Sequence, residues 1–393
     1  MSRSGKEKLR VVVLGYIVRC PLGGMAWHYL QYVTGLAALG HDVYFVEDSE
    51  DYPSCYDPNR HITDRDATFG LEFTTRVFDR AGLGERWAYH DAHTGVRHGP
   101  AAGRMTEICE TADLVLNISG ANPLRSWLEN VPVRVFIDTD PVFEQIRQLT
   151  VPERRQRALQ HNVFLSFGEN IEREDHAIPR DGHPWRATRQ PIVLDAWPVT
   201  PGPASAKFTT VMQWESYRAR EYQGVCYGLK AASFEPYLDL PLRTGPVLEL
   251  ALGTPSAPRE LLRSKGWTIR SPLEVTRDPW TYQEYLRASK GEFSVAKQGY
   301  VKARSGWFSE RSAAYLASGR PVLTQETGFS DWMETGEGVV GFTSPDEAVR
   351  GADEIQRRYP EHCLAARTVA EEYFDSRKVL TRLIELAGRS STV

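Results

Sequence analysis

The opening segment of the chain predicts a β-α-β unit with parallel strands. Residues 9–14 form a continuous apolar run, typical of a strand that is buried on both faces of a parallel sheet. A helix is predicted over residues 25–39, with Gly40 at its end, and the acid-tipped strand HDVYFVED follows. Since two parallel strands joined by a helix take a right-handed crossover, this unit commits the segment to an α/β arrangement.

The alternation of strand and helix occurs in both halves of the chain. In the first half, strands are predicted within ADLVLNISG, VRVFIDTD and NVFLSFGEN, with a helix over residues 142–160. In the second half they are predicted within FTTVMQW, PVLELALG, WTIRS and GEFSVAK. Repeated prolines disfavour a long helix at residues 180–206, which we interpret as an interdomain linker. The pattern predicts an α/β fold of two Rossmann-like doubly wound domains that face a ligand-binding cleft.

Composition excludes several classes of protein. The 393 residues carry a formal net charge of -4, and no basic block occurs, so binding to nucleic acid is not expected. The five cysteines form no C-x-x-C pair, which disfavours a disulfide framework or a zinc site and favours a cytoplasmic protein. No apolar stretch approaches the roughly 20 residues of a membrane span.

The segment SERSAAYLASGRPVLTQETGF, residues 309–329, carries the clearest chemistry. Ser309 is a suitable N-cap for a helix that would open at the cleft. The free amides of a helix N-terminus attract anions, and the Arg311 guanidinium suits a phosphate group. Lys297, at the end of the preceding predicted strand, adds a second cation. The alternative is a capped surface helix in which Arg311 pairs with Glu310.

This segment resembles the nucleotide-sugar signature of group 1 glycosyltransferases, which have the two-domain GT-B fold. The likeness is to the branch that includes spore-maturation-type transferases, and it is most specific over residues 299–331. It implies an N-terminal acceptor domain at residues 1–190 and a nucleotide-sugar donor domain at 191–370. Residues 371–393 would form a C-terminal helix that packs back on the first domain.

The resemblance also implies roles for individual residues. Arg311 and Ser312 would hold the donor pyrophosphate, with Lys297 as an additional counter-charge. The turn that would touch donor sugar hydroxyls consists of Glu326, Thr327, Gly328 and Phe329. Ala314 departs from the family pattern, because a glutamate that binds the nucleotide ribose is expected there. Glu310, one turn earlier, is a possible replacement.

A second set of candidates lies after the first predicted strand. Gly23 and Gly24 would let the backbone approach a ligand closely, and they resemble the glycine loop beside the donor phosphates in GT-B enzymes. They do not form the G-x-G-x-x-G fingerprint, which disfavours a nicotinamide enzyme. His28, in the next helix, could be a general base or a sugar ligand, or simply a packed or exposed histidine.

Strand ends supply the remaining candidates. Asp138 and Asp140 alternate along FIDTDP and would lie on the same side, where Asp138 could act as a base and Asp140 could bind acceptor hydroxyls. A structural turn in which Asp140 caps the next helix, and a D-x-D metal site, are the alternatives. Asn117, Trp214 and Glu215 are further predicted acceptor ligands.

The function expected from these features is transfer of a hexosyl group from a nucleotide diphosphate sugar to a small-molecule or lipid-like acceptor, in natural-product or cell-surface glycan biosynthesis. Arg311, Lys297 and the helix dipole would stabilise the leaving diphosphate without a metal or other cofactor. Retention and inversion both stay open, with His28 or Asp138 as the base for inversion. A nucleotide-sugar epimerase and a non-catalytic nucleotide-sugar binding protein are the alternatives. The oligomeric state is not predicted.

Overall fold

The computed structural model describes residues 8–203 and 206–390. The predicted N-terminal domain, the linker and the C-terminal segment each include a few residues outside these ranges. Within them, no helix is both long and apolar enough to cross a lipid bilayer.

The first half of the chain forms a sheet that is parallel except at one edge. The strands of this half are β1 (Arg10–Leu14), β2 (Asp42–Asp48), β3 (Cys55–Asp57), β4 (Ile62–Asp64), β5 (Trp87–His90), β6 (Arg97–His98), β7 (Leu114–Ile118), β8 (Val133–Asp138), β9 (Val163–Ser166) and β10 (Arg186–Ala187). The helices are α1 (Gly23–Ala38), α2 (Thr68–Arg80), α3 (Met105–Glu110), α4 (Phe143–Thr150) and α5 (Pro152–Ala158). The strand order is β10-β9-β8-β7-β1-β2-β5-β6, with β6 antiparallel, while β3 and β4 form a separate hairpin.

The second half forms another parallel sheet. The strands of this half are β11 (Phe208–Gln213), β12 (Arg220–Tyr222), β13 (Val225–Tyr227), β14 (Leu248–Gly253), β15 (Thr268–Arg270), β16 (Gly291–Ser294), β17 (Val322–Gln325) and β18 (Val339–Phe342). The helices are α6 (Lys230–Phe234), α7 (Pro241–Thr244), α8 (Arg259–Ser264), α9 (Pro272–Thr276), α10 (Pro279–Arg287), α11 (Gln298–Ala303), α12 (Glu310–Ala317), α13 (Pro345–Arg357), α14 (Tyr359–Tyr373) and α15 (Ser376–Ser390). The order is β15-β14-β11-β16-β17-β18, and β12 and β13 form a hairpin.

Strand β1 occupies the centre of the first sheet. Val12 pairs with Tyr44 of β2 on one side and with Val115 of β7 on the other, in parallel register. Its apolar run confirms the predicted strand, because successive side chains pack into two separate cores on opposite faces of the sheet. The predicted α/β fold with two doubly wound sheets is confirmed as well.

The helix predicted over residues 142–160 is instead two helices. Pro152 begins α5, and Val151 before it has an extended backbone with φ -127° and ψ 101°. A residue that precedes proline avoids the helical region because the proline ring would clash with its backbone. The proline therefore ends α4 and starts α5, which was missed because the charged composition looked uniformly helical.

The last helix returns to the first half of the molecule. A Cβ on Gly35 of α1 would lie 2.6 Å from the Leu380 side chain of α15. The backbone of Ile192 also donates to the Phe374 carbonyl and accepts from the Ser376 amide, at 2.7 Å and 2.9 Å. Helix α15 thus packs on α1 beside the segment that joins the two sheets.

Carboxyl ends of strands from the two sheets face each other. Asp140, just after β8, contacts Lys297, just after β16. Asn170, after β9, donates to the Arg304 and Gly328 carbonyls of the second half. These contacts define the cleft, which lies where parallel α/β sheets bind their ligands.

Candidate functional site

Helix α1 forms one wall of the cleft and packs closely on α10. The Trp27 indole donates to the Pro279 carbonyl at 2.7 Å. A Cβ on Gly23 would lie 2.2 Å from the Asp278 carbonyl oxygen, and one on Gly24 would lie 3.3 Å from the Tyr282 ring. The two glycines begin the helix itself rather than form a loop, and the space beside them is filled by the other half of the molecule. Their proposed contact with donor phosphates stays a prediction.

Helix α12 begins where the sequence predicts it. The Ser309 hydroxyl accepts from the Arg311 amide at 3.2 Å, so the predicted N-cap is confirmed. The helix is short because Gly319 at φ +68° follows it, a conformation that glycine adopts without strain. Its N-terminal turn faces the cleft and α1, which fits the anion site predicted from its free amides.

The Arg311 side chain turns toward the sheet. Its Nε pairs with Glu292 of β16 at 2.5 Å, while its Nη atoms donate to the Val211 carbonyl at 2.8 Å and the Ser294 hydroxyl at 3.0 Å. Burial lowers the pKa of Arg311, but the Glu292 carboxylate outweighs this and raises it above the usual value. The alternative pairing of Arg311 with Glu310 is wrong. The guanidinium lines the cleft with two N–H groups left unused by the described residues.

Lys230, the first residue of α6, is a cation that the sequence analysis missed. Burial, followed by the nearby Arg311, lowers its pKa to about 7, against the opposing effect of Glu292. Within the described part of the chain it has no ion-pair or hydrogen-bond partner. A half-buried lysine beside a second cation and near the α12 N-terminus is suited to an anionic ligand. The sequence offered only a lone lysine after Leu229, with no indication that the fold brings it near Arg311.

Lys297 bridges the two halves instead of standing free for a phosphate. Its ammonium donates to Asp140 and to the Tyr217 hydroxyl, each at 2.7 Å. It also lies over three aromatic rings, 4.5 Å from the centroid of Tyr217, 5.1 Å from that of Phe143 and 5.3 Å from that of Tyr300. Burial lowers its pKa, whereas Asp140 raises it. A phosphate could be bound by Lys297 only after it leaves these partners.

Asp140 accepts hydrogen bonds from both halves of the molecule. The donors are Arg147 at 2.7 Å, Tyr217 at 2.5 Å, Lys297 at 2.7 Å, and Tyr300. Burial alone would raise the pKa of Asp140, but Lys297 and Arg147 lower it to about 2. The alternative in which Asp140 caps the next helix is wrong, because its side chain is occupied in this way. Among residues 8–203 and 206–390, no cluster of three or more acidic, histidine or cysteine side chains could hold a metal ion.

Asp138 is buried beneath the cleft surface, and its side-chain partners differ from those of Asp140. Its carboxylate accepts from Gln145 at 3.0 Å, Ser166 at 2.7 Å and the Asp140 amide at 2.8 Å. Burial, followed by the nearby Glu144 carboxylate, raises its pKa to about 7. At 1% exposure its carboxylate is enclosed by the protein and orders the turn that presents Asp140, and its role as a base stays a prediction.

Two of the predicted acceptor ligands belong to the protein core. Asn117 is buried, and its amide lies against the Asn122 carbonyl at 2.9 Å and the His161 ring at 3.1 Å. Trp214 packs on Phe234 with ring centroids 5.1 Å apart. A residue at a strand end can point into the core of the sheet as well as outward, and the acceptor roles of these two residues stay predictions. Glu215 is exposed beyond β11, and its acceptor role stays a prediction.

The turn predicted to touch donor sugar supports the entry to α12. The Thr327 hydroxyl donates to the Trp307 carbonyl at 2.5 Å, and its own carbonyl accepts from the Gly306 amide at 2.8 Å. Gly328 has φ +96°, where a side chain would be strained. The Glu326 carboxylate accepts from the Gly328 amide at 2.6 Å, and Phe329 is buried. The turn therefore lies beside the cleft, but Thr327 and Phe329 act within the structure.

His28 faces the cleft from α1. It packs edge-on against Tyr29 and Phe167 and is 7% exposed. Burial lowers its pKa, while Glu310 of α12 raises it, so the imidazole is mainly neutral near pH 7. Ser312, one turn into α12, is buried with an unpartnered hydroxyl and lies behind the cleft wall. A neutral histidine can accept a proton, which keeps the base role of His28 open.

Solved structures share this architecture. The crystal structure of Anabaena HepE in complex with UDP and glucose is 10% identical, with a TM-score of 0.55, over 97% of this chain and 99% of that chain. An alpha-glucosyltransferase in complex with UDP and a 13-mer DNA is 9% identical, with a TM-score of 0.57, over 97% and 100%. The chain has the GT-B fold. At such low identity these matches establish the fold alone. No protein-family model and no curated protein sequence matches the chain.

Proposed function

We propose that the protein is a glycosyltransferase that moves a hexosyl group from a nucleotide diphosphate sugar to a hydroxyl-bearing acceptor. The observation that carries this proposal is Lys230, which has no partner among residues 8–203 and 206–390, beside Arg311 at the N-terminus of α12 in the cleft of a GT-B fold. Two cations and a helix N-terminus offer a diphosphate both charge and amide donors. The complexes of HepE and the alpha-glucosyltransferase with UDP support a nucleotide as the ligand.

Catalysis would be mainly electrostatic. Charge develops on the diphosphate as the bond from its oxygen to the anomeric carbon breaks, and Lys230, Arg311 and the α12 amides would stabilise it there. Glu292 fixes the Arg311 side chain in advance through a charged hydrogen bond, so the cation need not reorganise during the reaction. Ser312, in the first turn of α12, would contribute its backbone amide, and its buried hydroxyl, which has no partner among the described residues, would be available to the diphosphate as well.

The acceptor would approach from the first half of the molecule. His28 is the best-placed base if the reaction inverts the anomeric centre, because it is neutral and faces the cleft. Asp140 could bind acceptor hydroxyls only if its contact with Lys297 opens. We further propose a small or lipid-like acceptor, a cytoplasmic location, independence of metal ions, and kinship with the spore-maturation-type branch, the last resting on the motif at residues 309–329.

The test is a thermal-shift panel of nucleotide sugars, followed by turnover with the donor that binds. A bound donor raises the melting temperature in proportion to its affinity. Lys230→Met should abolish most of the shift and most of the turnover. Lys265→Met is the matched control, because Lys265 pairs with Asp239 away from the cleft. Absence of any shift across the panel, or an unchanged shift in Lys230→Met, would refute the proposal. Donor hydrolysis or epimerisation without transfer would refute the assigned reaction.

A further inference from the structure

Residues 215–229, between β11 and α6, form a loop that extends from the second half of the molecule to the first. We call them the cover segment. The loop starts and finishes at nearly the same place, because the Ala231 amide donates to the Trp214 carbonyl at 3.2 Å. Between these points lies the hairpin of β12 and β13, which is a sheet of its own. A loop of this length whose ends lie close together resembles an Ω-loop, a class that is frequently functional.

On the second-half side, the cover segment is joined to α11. The Gly299 amide donates to the Gly228 carbonyl at 3.0 Å, and the Lys302 ammonium donates to the Cys226 carbonyl at 2.8 Å. The turn of the hairpin, residues 223–224, is exposed. Two strands by themselves are only marginally stable in water. The position of the outer part of the segment therefore depends on what it contacts in the first half.

Tyr217 joins the cover segment to the first half through a carboxylate. Its hydroxyl donates to Asp140 at 2.5 Å and accepts from Lys297 at 2.7 Å. Its ring lies edge-on to Phe143, with the centroids 5.4 Å apart, and the Arg147 guanidinium lies 5.1 Å from its centroid. A hydrogen bond to a carboxylate is stronger than one between neutral groups. Loss of this one hydroxyl would therefore weaken the attachment while the ring stays in place.

The cover segment lies beside the proposed phosphate site. Lys230 follows it directly in the chain. Burial, then Arg311, and then Lys297 lower the pKa of Lys230, so Lys297 and its partner Tyr217 are close to that site. Tyr217 thus spans the gap between the two halves next to these cations. A diphosphate that approaches Lys230 from this side can pass only when Tyr217 leaves the first half.

We propose that the cover segment is a lid on the donor site, that Tyr217 holds it closed against Asp140, and that it opens on the first-half side to admit the diphosphate. The inference rests on the proposed function and goes beyond it by assigning a gating role to residues outside the phosphate site. Opening leaves Lys230 in place, because the Gly228 carbonyl before it and the Ala231 amide after it are hydrogen-bonded within the second half.

The test compares Tyr217→Phe with the native protein. The variant keeps the ring and loses the hydroxyl, while Asp140 keeps its two cationic partners. Tyr222→Phe is the matched control, because among the described residues the Tyr222 hydroxyl meets only Gln223 of the same hairpin. Hydrogen–deuterium exchange of the amides in residues 216–226 should become about tenfold faster in Tyr217→Phe, since a charged hydrogen bond is lost. It should be unchanged in Tyr222→Phe.

Nucleotide binding rates distinguish a lid from a fixed loop. The probes are UDP, ADP and GDP, mixed with each protein by stopped flow and followed by tryptophan fluorescence. The lid covers the free and the occupied site alike, and the phosphate contacts are unchanged in the variant. Tyr217→Phe should therefore raise the association and dissociation rates of the probe that binds by similar factors, up to about tenfold, and change its affinity less than about twofold.

The possible outcomes separate the lid from the proposed function. Native exchange and native binding rates in Tyr217→Phe would overturn the inference, while binding of a probe by the native protein would leave the proposed function intact. A larger radius of gyration in Tyr217→Phe would also overturn it, because the two halves, and not the cover segment alone, would then have separated. If no probe binds the native protein, the proposed function fails and the donor role of the lid fails with it.

Discussion

At the scale of single residues, the positions of charged side chains depend on partners that are distant in sequence. Arg311 pairs with Glu292, and Lys297 pairs with Asp140. The members of each pair come together only after both sheets have formed. Ser309 could be assigned from sequence because capping is a local interaction. The proposed role of Lys230 could not be assigned from sequence, because it rests on the lack of a hydrogen-bond or ion-pair partner among the described residues.

The lowered pKa of Lys230 predicts a pH dependence of donor binding. The free protein holds this lysine half-neutral near pH 7, because burial and Arg311 disfavour the ammonium. A diphosphate binds the charged form, so its affinity should fall as the pH rises above 7, by up to about tenfold per pH unit. Calorimetry at pH 8 in two buffers of different ionisation enthalpy should show proton uptake. Lys230→Met should show a flat profile, and a native profile in that variant would contradict the assignment.

The lowered pKa of Lys230 also makes the free energy of unfolding depend on pH. Between pH 7 and the ordinary lysine value near 10.5 the unfolded chain holds more protons than the folded one at this position. The free energy of unfolding should therefore rise with pH across that window relative to Lys230→Met. Denaturant titrations of both proteins at pH 7 and pH 9 measure the difference.

At the scale of elements, most of the fold follows from local pattern. Continuous apolar runs predicted the central strands, and repeated prolines marked the joining segment. Helix α1 was placed correctly, but its glycines were read as a loop, because their close approach to α10 is a tertiary contact. The break between α4 and α5 shows that a single proline outweighs a uniformly charged, helix-forming composition.

The two glycines at the start of α1 should tolerate substitution differently. A methyl group on Gly23 would lie 2.2 Å from the Asp278 carbonyl, which belongs to the backbone and cannot turn aside. One on Gly24 would lie 3.3 Å from the Tyr282 ring, which can shift slightly. Gly23→Ala should lower the free energy of unfolding by about 1–3 kcal/mol, as overpacking does, and Gly24→Ala should cost less. Equal losses in denaturant titration would show that α1 and α10 are not tightly packed.

The N-cap of α12 can be tested by mutation, because this helix would bind the donor diphosphate in the proposed function. Ser309→Ala removes the acceptor for the Arg311 amide and should cost about 1 kcal/mol of stability. Ser309→Thr keeps a hydroxyl and is the control. Because the freed amide also loosens the first turn, nucleotide diphosphate binding should weaken in the alanine variant, as measured by calorimetry. Full affinity at reduced stability would mean that the cap serves the fold alone.

At the scale of the whole molecule, the cluster around Asp140 holds the two halves together. Asp140 belongs to the first half, while Lys297, Tyr217 and Tyr300 belong to the second. Sequence reasoning placed Asp140 and Lys297 in the cleft as ligands of different substrates and did not foresee that they bind each other. In the structure these two predicted ligand-binding residues bind each other across the cleft.

Breaking this cluster should open the cleft. Lys297→Met removes the interdomain ion pair but leaves Arg147 to neutralise Asp140 within its own half. We expect a larger radius of gyration in small-angle X-ray scattering and faster proteolysis of the joining segment. Lys302→Met is the control, because Lys302 is exposed and donates to a carbonyl within the second half. An unchanged radius would show that the remaining contacts across the cleft, among them α1 with α10 and Asn170 with the Arg304 and Gly328 carbonyls, keep it closed without this ion pair.

The return of α15 to α1 affects how the chain matures on the ribosome. Helix α1 leaves the exit tunnel early, but the surface around Gly35 stays uncovered until Leu380 has been made. At about 5–20 residues per second this interval is on the order of tens of seconds. The first sheet can therefore form while this apolar face of α1 is still exposed to solvent, and chaperones that recognise such faces have time to bind. Synthesis that stops short of α15 would leave a product prone to aggregate.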